Sequence, residues 1–150
     1  MKKIALISSK GGHLTEIIEL KELYKNYDRF WVTMEGPDTI LLLKNEKKYF
    51  AFFPESRNII NFFRNLLIAL IILRKEKPNL LISCGAGIAI PFFIVAKILR
   101  MRLIYIESYD YVDYPSLTGR LLYNLVDLFI VQHKIQKKWY PKASYWGSLL

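Results

Sequence analysis

Cysteine is nearly absent: Cys84 stands alone in 150 residues. That excludes an intramolecular disulfide and points to a reducing compartment. Histidine is almost as scarce. His13 and His133 lie far from each other and from Cys84, without ligand spacing, so neither a metal site nor a cofactor is expected. Acidic residues are in deficit, 13 against 22 lysines and arginines, giving a net charge of +9. Such a surplus calls for an anionic partner, whether nucleic acid, an acidic membrane or a phosphate-bearing substrate. The cations are scattered over several elements and the aromatics sit mainly in apolar strands, so nucleic acid is not expected. No apolar run reaches the ~17–25 residues that span a bilayer. The apolar stretch after Met1-Lys2-Lys3 has no small-residue cleavage site and reads as a first strand, so a cytoplasmic protein is expected. There is no internal repeat, low-complexity tract or linker, which leaves one domain over 1–150.

What is present is ample core material: 53% of the residues are hydrophobic and 15% aromatic, which excludes a disordered chain. Strand-length apolar runs at 3–8, 29–33, 49–53, 80–83, 103–106 and 128–131 alternate with helical patterns. The helices are expected at 14–24, from Asp38 as N-cap through 43, and at 58–75, 88–100 and 117–125. In the first of them Leu14, Ile17, Ile18 and Leu20 oppose Glu16, Glu19, Lys21 and Glu22. This alternation implies right-handed crossovers and a parallel sheet covered on both faces. The fold class is α/β, a single Rossmann-like domain.

Ligands of such sheets bind at the carboxyl ends of the strands, which directs attention to four loops. Ser8-Ser9-Lys10-Gly11-Gly12-His13 follows a strand and opens a helix, where close backbone approach and unpaired amides favour an anion. It lacks the G-x-G-x-x-G spacing and the G-K-S/T ending, and a tight turn capped by His13 satisfies the same residues. Ser83-Cys84-Gly85-Ala86-Gly87 permits close approach of a ligand or of a helix. Cys84 reads as a small buried residue rather than a nucleophile. In the third loop Glu107 directly follows a strand, and the tyrosines and carboxylates of 109–114 suit either sugar hydroxyls or a solvated tip. In the fourth loop, at 132–134, His133 stands beside Lys134, Lys137 and Lys138 and reads as a surface residue.

The helix at 58–75 is apolar all round in its second half, with Arg57, Arg64, Arg74, Lys75 and Lys77 punctuating it. Lying in a membrane interface with its cations at anionic headgroups, or covering the sheet with an outer face toward a partner subunit, both fit.

In order and spacing, these segments resemble a known family over essentially the whole chain. The matching stretches include Ser9-Lys10-Gly11-Gly12-His13-Leu14-Thr15, Arg57-Asn58-Ile59-Ile60-Asn61, Ser83-Cys84-Gly85-Ala86 and Leu117-Thr118-Gly119-Arg120. The family is the bacterial capsular and exopolysaccharide biosynthesis subunit, related to the membrane-anchoring subunit of the eukaryotic dolichol-pathway UDP-GlcNAc transferase. The resemblance implies the N-terminal half of a GT-B glycosyltransferase divided between two polypeptides. A donor-binding partner would hold the UDP-sugar, and this chain would bind a lipid-linked saccharide acceptor at the cytoplasmic face of the plasma membrane. His13 and Glu107 would be catalytic. Ser9, Lys10, Gly11, Gly12, Thr15, Gly85 and Ser108 would hold the acceptor and its pyrophosphate. Ile60, Phe63, Arg64, Leu67, Ile71, Arg74 and Lys75 would meet the membrane. Eukaryotic members carry an N-terminal transmembrane helix, whereas the first strand here begins at Lys3, so membrane contact is expected to be peripheral. The alternative is a non-catalytic anchor that activates a self-sufficient partner.

Overall fold

The computed structural model describes residues 2–54 and 57–149; Met1, Glu55, Ser56 and Leu150 lie outside the described residues. Its centre is a seven-stranded, all-parallel sheet in the order β3-β2-β1-β4-β5-β6-β7. The strands are β1 Lys3–Ile7, β2 Asp28–Thr33, β3 Lys48–Phe50, β4 Leu80–Ser83, β5 Arg102–Ile106, β6 Leu128–Val131 and β7 Ser144–Tyr145. The helices are α1 Gly12–Glu19, α2 Lys21–Tyr24, α3 Pro37–Leu42, α4 Ile59–Glu76, α5 Ala89–Ile98 and α6 Leu117–Leu122, with a 3₁₀ turn at Lys134–Lys138. Strand order reverses between β1 and β4, and a crevice opens at such a switch point.

Alternation along the strands feeds two cores. Ala5, Ile7, Phe30, Val32, Leu81, Leu103 and Tyr105 meet the helices α4 and α5 on one face. Ile4, Leu6, Trp31 and Ile82 meet Leu14, Ile17, Leu20 and Tyr24 on the other.

Several expectations shift. The helix foreseen over 14–24 breaks at Leu20 into α1 and α2. Asp38 does not cap α3: Gly36 is the N-cap, Pro37 takes the first helical position, and the Asp38 carboxylate accepts from the Gly11 N–H at 2.8 Å. The strand expected through Phe53 stops at Phe50. Beyond it the Asn65 side chain takes both the N–H and the C=O of Phe52, at 2.9 and 3.1 Å, while Asn61 donates to the Pro54 carbonyl. Two buried asparagines therefore replace the sheet as partners for this backbone. Short β7 and the 3₁₀ turn were not foreseen, because neither carries enough residues to show a period.

Helix α4 is not apolar in an undifferentiated way. Asn61, Asn65, Ala69, Ile72, Leu73 and Glu76 form its buried stripe. Ile60, Phe63, Arg64, Leu67, Ile71, Arg74 and Lys75 are all exposed on the opposite side. Asn58 caps its start by accepting from Asn61 N–H, and Lys77 ends it with a left-handed backbone. Among the described residues no helix is long and apolar enough to cross a membrane.

Candidate functional site

The crevice at the switch point is an open cleft of about 1200 Å³. Three loops foreseen from the sequence converge on it. Ser9 and His13 come from the β1–α1 connection, Gly85 to Gly87 from β4–α5, and Glu107 and Ser108 from the end of β5. Lys10, Gly11, Gly12 and Thr15 do not line it. They stand exposed on its rim. There the Gly11 N–H is taken by Asp38, Thr15 Oγ1 donates to the Gly11 carbonyl at 3.4 Å, and the Lys10 ammonium sits 5.0 Å from the Phe53 ring centre.

His13 occupies the first turn of α1, partly buried, with Nδ1 2.9 Å from the Cys84 carbonyl oxygen. A carbonyl can only accept, so Nδ1 carries the proton in this contact. In a neutral ring that leaves the lone pair on Nε2. Gly85 makes room for the ring. Its φ is +109°, and a Cβ there would lie 2.6 Å from His13 Cε1. The sequence Cys84-Gly85 thus supplies one carbonyl and one missing side chain to the same imidazole.

Glu107 is wholly buried at the floor of the cleft. Ser116 Oγ donates to it at 2.8 Å, Ser108 N–H at 3.1 Å and Tyr105 OH at 3.4 Å, and Tyr140 OH is hydrogen-bonded to its other oxygen. Hydroxyl and amide donors therefore fill its acceptor sites. Burial, and next the hydrogen bond to Glu107, push the Tyr140 phenol well above its ordinary range. Gly119 on α6 is pressed against the group: a Cβ at this position would collide with Glu107 Oε2 and the Tyr140 hydroxyl.

Glu16 is the residue that periodicity misplaced. Expected on a solvated helix face, it is buried, and its Oε1 accepts from Ser108 Oγ and Tyr109 N–H, each at 3.0 Å. Burial raises its pKa, only partly offset by those two hydrogen bonds. It fixes the loop that carries Ser108 and Tyr111 into the cleft. No local signal marks it, because its partners lie more than 90 residues away. Ser116 was also missed, although a serine before an apolar helical run is an N-cap pattern, and its Oγ does accept from Gly119 N–H. His133 is not simply a surface residue: its ring lies 4.4 Å from that of Tyr109, and its Nε2 is buried. Cys84 is buried, and burial pushes its thiol up, as suits an inert side chain. Among the described residues no group of histidine, cysteine and carboxylate side chains could hold a metal.

Comparison with solved structures returns the same architecture. The chain resembles MurG of Acinetobacter baumannii with a TM-score of 0.79, at 14% identity, over 99% of this chain and 46% of that one. It resembles the UDP-GlcNAc 2-epimerase of Neisseria meningitidis bound to UDP-GlcNAc with a TM-score of 0.68, at 14% identity, over 92% and 42%. This chain thus spans under half the length of either, and identities this low speak for the fold alone. Among curated proteins, the UDP-N-acetylglucosamine transferase subunit ALG14 of Homo sapiens is 25% identical over 98% of this chain and 82% of its own. That of Debaryomyces hansenii is 27% identical over 98% and 76%. The family model described as "Oligosaccharide biosynthesis protein Alg14 like" matches residues 4–149. The chain belongs to the Alg14-like family of oligosaccharide biosynthesis proteins.

Proposed function

We propose that this chain is the acceptor-binding, membrane-recruiting subunit of a two-component glycosyltransferase. A partner subunit holds a UDP-sugar. Together they transfer the sugar to a saccharide carried on polyprenyl pyrophosphate, at the cytoplasmic face of the plasma membrane, in capsule or exopolysaccharide synthesis. The names of the relatives make GlcNAc the first donor to try. The observation that carries the reading is the imidazole of His13, oriented by the Cys84 carbonyl at the edge of a cleft.

The transfer is an inverting displacement. The acceptor oxygen bonds to the anomeric carbon, UDP leaves with the electron pair of the broken bond, and His13 Nε2 takes the hydroxyl proton. Glu107 holds the cleft floor, while Ser9, Gly85 and Ser108 contact the acceptor. The rim formed by Lys10, Gly11, Gly12 and Thr15 at the start of α1 faces its pyrophosphate. Holding both substrates in one closed cleft supplies the larger part of the rate.

The test is transfer by the co-expressed pair with His13→Ala and His13→Gln. A base assignment expects kcat to fall on the order of 10²–10⁴-fold, with loss of the acidic limb of the pH profile that protonation of the base imposes. Full activity in either variant overturns it. One observation favours the non-catalytic alternative: Glu107 is already saturated by internal donors, as a purely structural carboxylate would be. In that case His13→Ala leaves transfer intact, while removal of the chain abolishes only membrane recruitment.

A further inference from the structure

The cleft is chemically two-ended. Its polar end is the one just described. The remaining wall is largely apolar, with Arg57, Asn58 and Thr118 as its polar members, and three separate helices contribute aliphatic or aromatic side chains to it in the same way. Ile59 and Phe62 are one turn apart on α4, and Ile90 and Ile94 one turn apart on α5. Leu121 lies on α6, and Leu125 follows one turn on. Side chains three or four residues apart share a helix face. On α5 this face is distinct from the one that packs inward, since Phe92, Phe93, Val95 and Ala96 are buried in the core. Ile59 and Leu121 remain 72% and 56% exposed, so the core does not account for them. Large aliphatics aimed into an open cleft gain nothing from water.

We propose that this apolar arm is a binding groove for the hydrocarbon chain of the acceptor lipid, holding the isoprenoid carbons nearest the pyrophosphate. The inference rests on the functional reading above for its headgroup and adds a site for the tail. Two features favour a lipid chain over a protein partner. The groove is continuous with the polar end in a single cavity, so one amphipathic molecule can occupy both ends. The groove residues Ile59 and Phe62 are also immediate sequence neighbours of Ile60 and Phe63 on α4, 63% and 62% exposed, with Arg64 following, so the groove wall and the surface suited to a bilayer share one helix. The groove would draw the first carbons out of the membrane and seat the pyrophosphate beside His13.

The experiment is calorimetric titration of the full-length chain, free of detergent, with inorganic pyrophosphate, geranyl pyrophosphate and farnesyl pyrophosphate. Affinity is expected to rise with chain length. Farnesyl pyrophosphate should bind at least about tenfold more tightly than inorganic pyrophosphate, which burial of roughly two methylenes would produce. The double variant I94E/L121E changes two side chains that the core leaves partly exposed, and circular dichroism checks its fold. It is expected to keep the affinity for inorganic pyrophosphate and lose the chain-length gain. Equal affinity for all three probes, or no saturable binding of farnesyl pyrophosphate, overturns the proposal. So does a chain-length gain that survives in I94E/L121E, which would put the tail elsewhere. Chain-length-independent binding, with assembly to the partner subunit lost in the variant, would assign the groove to that protein instead. The titration needs neither donor nor partner, so its failure is read separately from a failure of the transfer assay.

Discussion

Cys84 contributes to the site through its carbonyl while its thiol lies inert in the core, and Gly85 contributes by having no side chain at all. The geometry of this cleft is arranged largely by backbone and by buried polar side chains. Glu16 is the clearest instance, because its single oxygen Oε1 holds both Ser108 and Tyr109. Glu16→Ala leaves a buried hydroxyl and a partly buried amide without an acceptor. It should cost about 1–3 kcal/mol in denaturant unfolding. Glu16→Gln keeps an acceptor oxygen and removes the burden of a buried charge, so its midpoint should stay within about 1 kcal/mol of the parent. Equal destabilisation by the two variants would contradict the role given to Oε1. None of this was legible from periodicity, which saw a polar residue on an amphipathic helix and had no access to partners in the loop after β5.

Helix α4 carries two separate signals on its two sides. Inward, Glu76 ends the helix among Lys3, Lys47 and Tyr49. Burial alone would raise its pKa, but the hydrogen bonds from Lys47, Tyr49 and Lys3 outweigh that and hold it at about 2 instead of 4.5. Because the folded-state value is depressed, the stabilisation is present above pH 4.5 and is lost as pH falls toward 2. Glu16, raised by burial, acts in the opposite sense and in a different window: its buried charge costs stability at neutral pH, and that cost is relieved as pH falls toward 4.5, above the limb set by Glu76. Glu76→Gln should therefore lower stability at neutral pH by on the order of 2–3 kcal/mol and flatten its loss between about pH 5 and 2. An unchanged acid limb would sink the assignment. Outward, Leu67 and Ile71 are 60% and 57% exposed, with Arg74 and Lys75 beyond them. L67E/I71E should leave the unfolding midpoint nearly unmoved yet reduce sedimentation with phosphatidylglycerol vesicles several-fold. Undiminished vesicle binding would place the membrane contact elsewhere.

For the molecule as a whole, the parallel sheet and its crossovers were plain in the sequence, because six strands and the longer helices each had enough residues to show a period. The loops gathered at the switch point followed from that topology alone. What the sequence hid was everything decided by distant contacts: the break at Leu20, the backbone of Phe52 satisfied by Asn65, and Tyr140 reaching Glu107 across 33 residues. The apolar arm of the cleft was hidden for the same reason, since Ile94 and Leu121 come from different helices.

On the proposed function, a single α/β domain supplies one side of a divided active site. The most direct test measures sugar transfer from UDP-GlcNAc to a polyprenyl-pyrophosphate-linked saccharide, using the donor-binding partner alone, this chain alone, and the two together in detergent. A shared site requires transfer by the pair and none above background by either chain separately. Transfer at the full rate by the partner alone, in detergent where membrane recruitment is irrelevant, would contradict it.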